Sequence, residues 1–283
     1  MSHEYGARMD STPPALTPRN GLPGARRSAR VLLCLLLAGA ALAVPPADAA
    51  PPAGAQRPPD VDKLLQKLDD LFRSRSSVSR MEITVTSPRN TRTVRLKGWT
   101  SGEERALLVI EAPPREAGIA TLRVGDNLWN YLPRIARTIR VPPSMMLGAW
   151  MGTDFTNDDL VRESSYRKDF VSRVEGRSEQ PAGWRIVSEV KPGVVGRWAR
   201  IEMIVGDDDL PLEMRYFDRR GRLARTMRFD QVKAMGGRRI PTHLTLEPAD
   251  AKGQRTEMRY LDVTFDATVP ESTFSLQRLE KGE

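Results

Sequence analysis

The sequence predicts a mainly β protein: an unclosed half β-barrel of antiparallel strands, covered by one N-terminal helix and one short helical lid. Three observations lead there. From Val78 to Phe265, apolar and polar residues alternate with period two over many short runs separated by turn residues. That is the pattern of antiparallel strands with one buried and one wet face. No stretch between these runs is long enough in helical period to make a parallel crossover. One clearly helical stretch precedes the strands, and one apolar block bounded by prolines and glycines interrupts them. About ten or more strands rolled into a half-barrel enclose more space than their side chains fill. The helix and the interrupting block are the elements available to cover that space.

In chain order, Arg26, Arg27 and Arg30 precede an apolar run at 31–43, and Ala47-Asp48-Ala49 follows it. This is the form of a secretory signal peptide, here residues 1–49 with a long basic lead. The implied cleavage is near Ala49 and the implied location is the periplasm; Met9 is an alternative start. The apolar run is short for a membrane span, and an uncleaved single-helix anchor is the competing reading. The single cysteine, Cys34, lies inside that run behind Leu33, where lipid attachment needs a small residue. The exported chain then has no thiol for disulfides, catalysis or metal binding, so its core must be large enough to stand alone. Residues 50–59 form a Pro/Ala-rich linker, and 60–283 form the folded domain.

Asp60 is placed to cap a helix in which Val61, Leu64, Leu65, Leu68, Leu71 and Phe72 make one apolar stripe. Strands are expected where Met81, Ile83 and Val85 alternate with polar residues, around Val94 and Leu96, and at 105–111, 120–124 and 128–132. Pro88-Arg89-Asn90 and Gly125-Asp126-Asn127 are the turns among them. Past Pro133, one further strand is expected to carry Arg134, Arg137 and Arg140. After the interrupting block, strands are expected at 166–174, 184–190, 199–205, 213–218, 223–232, 239–247 and 256–265.

The block at 144–159 is the candidate lid. Met145, Met146, Leu147, Trp150 and Met151 lie between Pro142-Pro143 and Gly152, and Phe155 follows. Methionine adapts to irregular apolar shapes, which suits a surface that meets variable chains; ordinary core packing is the alternative. Together with Trp129 and Tyr131 these residues are the candidate ligand-binding set. Arg134, Arg137 and Arg140 are candidates for contacts to a lipid head group or to the lid, since a guanidinium matches phosphate oxygens; a solvated strand face paired with acids is the alternative.

These residues also carry a resemblance. Tyr131-Leu132-Pro133, Arg137, Arg140 and Gly152-Thr153-Asp154-Phe155 resemble the signature of the outer-membrane lipoprotein-sorting, LolA-like family. Leu210-Pro211-Leu212-Glu213 with Tyr216-Phe217-Asp218 and Gly221, then Ile240-Pro241-Thr242, Thr256-Glu257 and Phe274-Ser275-Leu276, keep the same block order over about 60–280. The resemblance implies a LolA/LolB-like unclosed barrel with a helical lid over a lipid-holding cavity, and an arginine that holds the lid closed. It implies a periplasmic carrier of acyl chains, from lipoproteins or other envelope lipids, moving toward the outer membrane. The expected partners are lipid or lipidated protein cargo, a transient membrane contact and an inner-membrane transporter.

Other chemistry finds little footing. Of 44 basic and 36 acidic side chains, five arginines and three acids precede Ala50, leaving 39 and 33. This modest, interspersed excess favours an anionic surface as partner and lacks the dense basic stripe and stacking aromatics of a nucleic-acid binder. Asp154, Asp158 and Asp159 lack calcium-loop spacing, and Thr156 or Asn157 capping a short helix explains them better. Asp207-Asp208-Asp209 reads as a turn. His243, the one histidine after the signal segment, has neither a G-x-S-x-G elbow nor a second metal-binding partner in the sequence. No enzyme activity, metal or cofactor is expected; an accessory subunit docked on an exporter is the alternative to a carrier. On sequence alone, Trp150→Asp or Met146→Asp is expected to abolish lipid loading and leave the fold standing, as measured by lipid extraction and circular dichroism.

Overall fold

The computed structural model describes residues 57–162, 166–194 and 196–281; the signal-peptide assignment and most of the linker fall outside them. Helix α1, Val61–Arg73, starts at Asp60, whose carboxylate accepts from the Lys63 amide at 3.2 Å. Its stripe of Leu64, Leu65 and Leu68 is buried, and Phe72 stacks on Tyr260 with ring centroids 5.4 Å apart.

Six strands follow: β1 Ser76–Ser87, β2 Asn90–Ser101, β3 Arg105–Ala112, β4 Ala120–Val124, β5 Asn127–Leu132 and β6 Arg137–Arg140. Two short helices, α2 Asn157–Arg162 and α3 Tyr166–Asp169, precede the second set. That set is β7 Phe170–Glu179, β8 Ala182–Val190, β9 Trp198–Val205, β10 Pro211–Asp218, β11 Leu223–Met235, β12 Arg238–Pro248 and β13 Arg255–Phe265; α4, Leu276–Lys281, ends the described chain. All strands belong to one 13-stranded sheet in the order β6-β5-β4-β3-β2-β1-β13-β12-β11-β10-β9-β8-β7, every pair antiparallel. It is not closed into a barrel: β6 and β7 are its two edges.

The predicted alternation sorts the two faces. Met81, Ile83, Leu96, Met227, Leu244 and Leu246 belong to one buried cluster that also takes in the α1 stripe. Residues of opposite parity form cross-strand charge pairs, such as Glu82 with Arg95 at 2.9 Å and Arg228 with Glu213 at 3.2 Å. On β3 to β5 the opposite face is apolar instead. Leu107, Val109 and Leu122 pack there with Phe274 and Leu279 from the C-terminal segment. The sequence reading anticipated no helix at that end.

Two expected elements differ. The strand expected at 166–174 begins as α3, because Lys191 collects the helix-end carbonyls: its Nζ donates to the Arg167 and Lys168 oxygens at 3.1 and 2.7 Å. The strand expected to carry all three arginines holds only Arg137 and Arg140. Arg134 sits in a 3-10 turn, Pro133–Ile135, and Ala136 follows in the left-handed region with φ 47°.

Strands β8 and β9 approach so closely that a Cβ on Gly183 would lie 2.4 Å from the Val205 carbonyl oxygen. Backbone cannot give way as a side chain does, so Gly183→Ala is expected to destabilise the protein by about 1–3 kcal/mol in urea unfolding, the usual range for overpacking; an unchanged midpoint would contradict the close approach.

Candidate functional site: a lidded cavity

Because β1 pairs with β13 in the middle of the sheet, both free edges fall at the opening of the half-barrel. The segment joining those edges, residues 141–169, necessarily crosses between them. Its central part is a tight hairpin rather than a loose flap. The Trp150 amide donates to the Phe155 oxygen at 2.7 Å, and the Asn157 amide to the Gly148 oxygen at 3.0 Å. Met151, φ 51°, and Gly152, φ 73°, turn the chain between them. The turn sends Trp150 and Phe155 down into the main core. The Trp150 indole donates to Thr121 Oγ1 of β4 at 3.0 Å.

Helix α2 then starts at Thr156. The Asp159 amide donates to Thr156 Oγ1 at 3.1 Å, and the Thr156 amide donates back to Asp159 Oδ2 at 2.7 Å. This reciprocal cap presents the carboxylate to β11. There Arg225 grips Asp159 with both nitrogens, Nη1 to Oδ2 at 2.6 Å and Nη2 to Oδ1 at 2.7 Å. The guanidinium lies 4.4 Å from the Trp198 ring centre and 4.3 Å from that of Tyr216. Both partners are buried, with 6% and 11% of their side chains exposed. Burial opposes both charges, yet the mutual attraction and the paired hydrogen bonds outweigh it. Asp159 is held below the ordinary carboxylate range and Arg225 above the ordinary guanidinium value.

Three further links pin the crossing segment to the sheet. Arg92 of β2 donates from Nη1 to the Met151 oxygen at 2.8 Å and from Nε to Glu116 at 2.9 Å; that hydrogen bond, against desolvation, lowers the Glu116 pKa. Thr256 of β13 accepts from the Asp154 amide at 3.0 Å and donates to its Oδ2 at 2.8 Å. Arg123 of β4 donates to the Leu160 oxygen at 3.1 Å.

Beneath these links lies a cavity of about 180 Å³, walled by α1, the concave face of the sheet and the lid. Its apolar surface comes from residues such as Phe72, Ile83, Leu96, Leu108, Trp150 and Phe155. An apolar void of this size can stay dry and take up a small apolar group.

Of the eight candidate ligand residues, Trp150 and Phe155 line the cavity; the other six do not. Met151 packs on the rim of the core, and Met146 is half-buried. Met145 and Leu147 point outward, 59% and 50% exposed. Trp129 and Tyr131 lie on the far face of β5, in the cluster under α4, because the alternation that turns Leu128 into the cavity turns its neighbours away. Arg134, Arg137 and Arg140 are exposed, form no ion pair among the described residues and do not reach the lid; Arg140 donates to Asn127. The arginines that do reach it are Arg92, Arg123 and Arg225, and Arg92 and Arg225 occupy the apolar register of their strands. Arg225 alternates with Met227 and Phe229, and Arg92 with Val94 and Leu96. That register violation was the available signal.

The aspartates are spoken for separately: Asp154 by Thr256, Asp159 by Arg225, Asp207 by Arg177, Asp208 by Arg239 and Asp209 by Lys67. His243 lies on the convex face between Asp230, at 2.7 Å, and Glu257, at 3.5 Å. Among the described residues, no group of three or more His, Cys, Asp or Glu side chains is arranged to hold a metal ion.

The comparisons with known proteins agree with this geometry. A family model whose description reads "-like: Uncharacterized protein" matches residues 102–281. No curated protein matches the sequence. Among solved structures, the chain is similar to a DUF1329 family protein from Desulfovibrio piger, with TM-score 0.71, 19% identity, and 77% of this chain and 96% of that one covered. A LolA superfamily protein from Nitrosomonas europaea superposes with TM-score 0.66 and 19% identity, covering 78% of this chain and 100% of that one. A putative outer membrane lipoprotein-sorting protein domain from Vibrio parahaemolyticus gives TM-score 0.65 and 17% identity, with 78% and 100% covered. The fold is therefore LolA-like: a mainly β, unclosed antiparallel sheet with few helices.

Removing one partner of a buried ion pair leaves the other uncompensated, so Asp159→Asn is expected to lower stability by about 3–5 kcal/mol in denaturant unfolding. The folded pKa of Asp159 lies below its unfolded value. The pair's contribution is thus complete above a pH of about 4 and fades as the pH falls through the depressed folded value. Acid titration of stability should show that loss in the wild type and lack it in Asp159→Asn.

Proposed function

We propose that this chain, which belongs to the family of the matching model and has the LolA-like fold, is an exported, non-enzymatic carrier that shields the acyl chains of a lipoprotein or another envelope lipid in transit through the periplasm. The observation that carries the reading is the apolar cavity under a segment bridging the two free edges of the sheet. Each buried CH₂ contributes about 0.8 kcal/mol, so a chain of about a dozen resists crossing water by about 10 kcal/mol. A cavity that accepts the chain removes most of that barrier.

The lid links set the opposing scale. Single hydrogen bonds such as Arg92 to the Met151 oxygen contribute about 0.5–3 kcal/mol each, depending on charge. A few such links together are comparable to the gain from burying one acyl chain. Loading and opening are then nearly balanced, which a carrier that must also release its cargo requires. The cavity as it stands is smaller than the roughly 300–1,000 Å³ typical of ligand pockets, so full loading swings the lid outward and leaves the rolled sheet in place.

Delivery needs a surface that meets a membrane. Ile135, Ile139, Met145 and Leu147 are exposed in the stretch that also holds the three unpaired arginines. Exposed apolar groups beside cations suit an anionic lipid surface. The same stretch favours a second reading, an accessory subunit docked on an inner-membrane transporter or other envelope complex. Protein purified without lipid, but losing envelope association on Arg137→Glu, would support that reading instead.

Leu108 lines the cavity and is only partly buried. Leu108→Trp is expected to fill the hollow and cut co-purified lipid, measured by mass spectrometry, at least about tenfold, a loss of about 1.4 kcal/mol of binding. Its melting temperature should stay near that of the wild type. Trp150→Asp is the poorer probe: Trp150 is 4% exposed and hydrogen-bonded, and a buried unpaired carboxylate there would undermine the fold itself.

A further inference from the structure

The cavity has a direction. Cross-strand register stacks its sheet wall in rows, each about 7 Å from the next along the strands. The first row holds Ser77, Thr100, Ala106 and Arg123. The second holds Ser79, Gly98, Leu108 and Thr121. In the third, Met81 and Leu96 line the cavity, and in the fourth Ile83 does. On β1 to β4 the hydroxyl-bearing side chains are confined to the first two rows, while β13 sets Tyr260 beside Met81 in the third. The polar end is also the end toward solvent: Gly102 and Arg105 line both the cavity and an open depression over residues 101–105.

We infer that the cavity takes an amphipathic lipid with a neutral, hydroxyl-bearing head, the head held at the Ser77–Ser79–Thr100 end and the hydrocarbon lying over Met81 and Ile83. This deepens the carrier reading and rests on it. Ser79 carries the argument. It lines the cavity and is 8% exposed, and its hydroxyl has no hydrogen bond among the described residues. A ligand hydroxyl in the cavity would supply one. Next to it, the Ser77 and Thr100 hydroxyls lie 2.7 Å apart and hold each other in place. Thr121 is occupied, donating to Asn130 and accepting from the Trp150 indole.

The charges at this end argue for a neutral head. Arg105 is paired with Glu271 at 2.9 Å. Arg123 is committed to the Gly125 and Leu160 carbonyls at 3.1 Å each. Asp159 is committed to Arg225. A carboxylate or phosphate entering here would meet no cation that is not already engaged, whereas a glycerol or alcohol head needs only donors and acceptors.

The test is competition for the folded exported chain, by displacement of the fluorescent probe N-phenyl-naphthylamine, using monopalmitoylglycerol, palmitate and hexadecane. Monopalmitoylglycerol is expected to bind tightest. Ser79→Ala, and separately Thr100→Val, should weaken it about fivefold, which is about 1 kcal/mol, and leave hexadecane unchanged. Palmitate binding as tightly as monopalmitoylglycerol would overturn the neutral-head assignment and leave the carrier reading intact. Equal binding of all three, with both variants indistinguishable from wild type, would overturn head selection altogether. Displacement by none of the three would sink the carrier reading and this inference with it.

Discussion

One buried ion pair organises the site. Arg225 enters the concave face where its neighbours in register are Met227 and Phe229, and its charge is tolerable there only because Asp159 meets it with both oxygens. The Trp198 and Tyr216 rings, 5.2 Å apart, both lie against the guanidinium, and burial makes the pair indispensable to its own desolvated surroundings. Asp159 also closes the cap of α2. A single carboxylate thus shapes the lid helix and anchors it to the second half of the sheet.

The topology explains why a lid exists at all. In a sheet whose first and last strands pair at the centre, the chain runs outward to one edge and must return from the other. The segment between those edges crosses the mouth of the half-barrel whatever its sequence. Sequence then decides how firmly it sits. Here two aromatics descend into the core while Arg92, Thr256 and Arg123 take hold of backbone or short side chains around them. These are polar links at a rim with apolar space below, an arrangement that parts at the rim more readily than a continuous core.

The outer face of the sheet does a different task. Its opposite-charge neighbours, among them Glu82 with Arg95 and Glu213 with Arg228, cover the strands with a hydrated ladder. Each pair contributes little singly. Each such pair sums to zero charge, and the exposed arginines at 134, 137 and 140, which form no ion pair among the described residues, make a local positive surface. Over β3 to β5 the C-terminal segment adds an apolar cover on the outer face.

Much of this was legible in the chain alone. Period-two alternation determined a half-buried antiparallel sheet, and it even marked Arg92 and Arg225 as arginines in apolar register. The stripe of α1 and its Asp60 cap follow from local spacing. Met145, Leu147, Trp129 and Tyr131 have the same composition as true cavity residues, and their outward orientation depends on which way one hairpin and one strand face. Parity along a strand is set by neighbouring residues, so sequence determines it; the partner of a side chain is set by strands brought together over long separations. Arg225 and Asp159 are 66 residues apart, and only the closing of the sheet puts the one beneath the other.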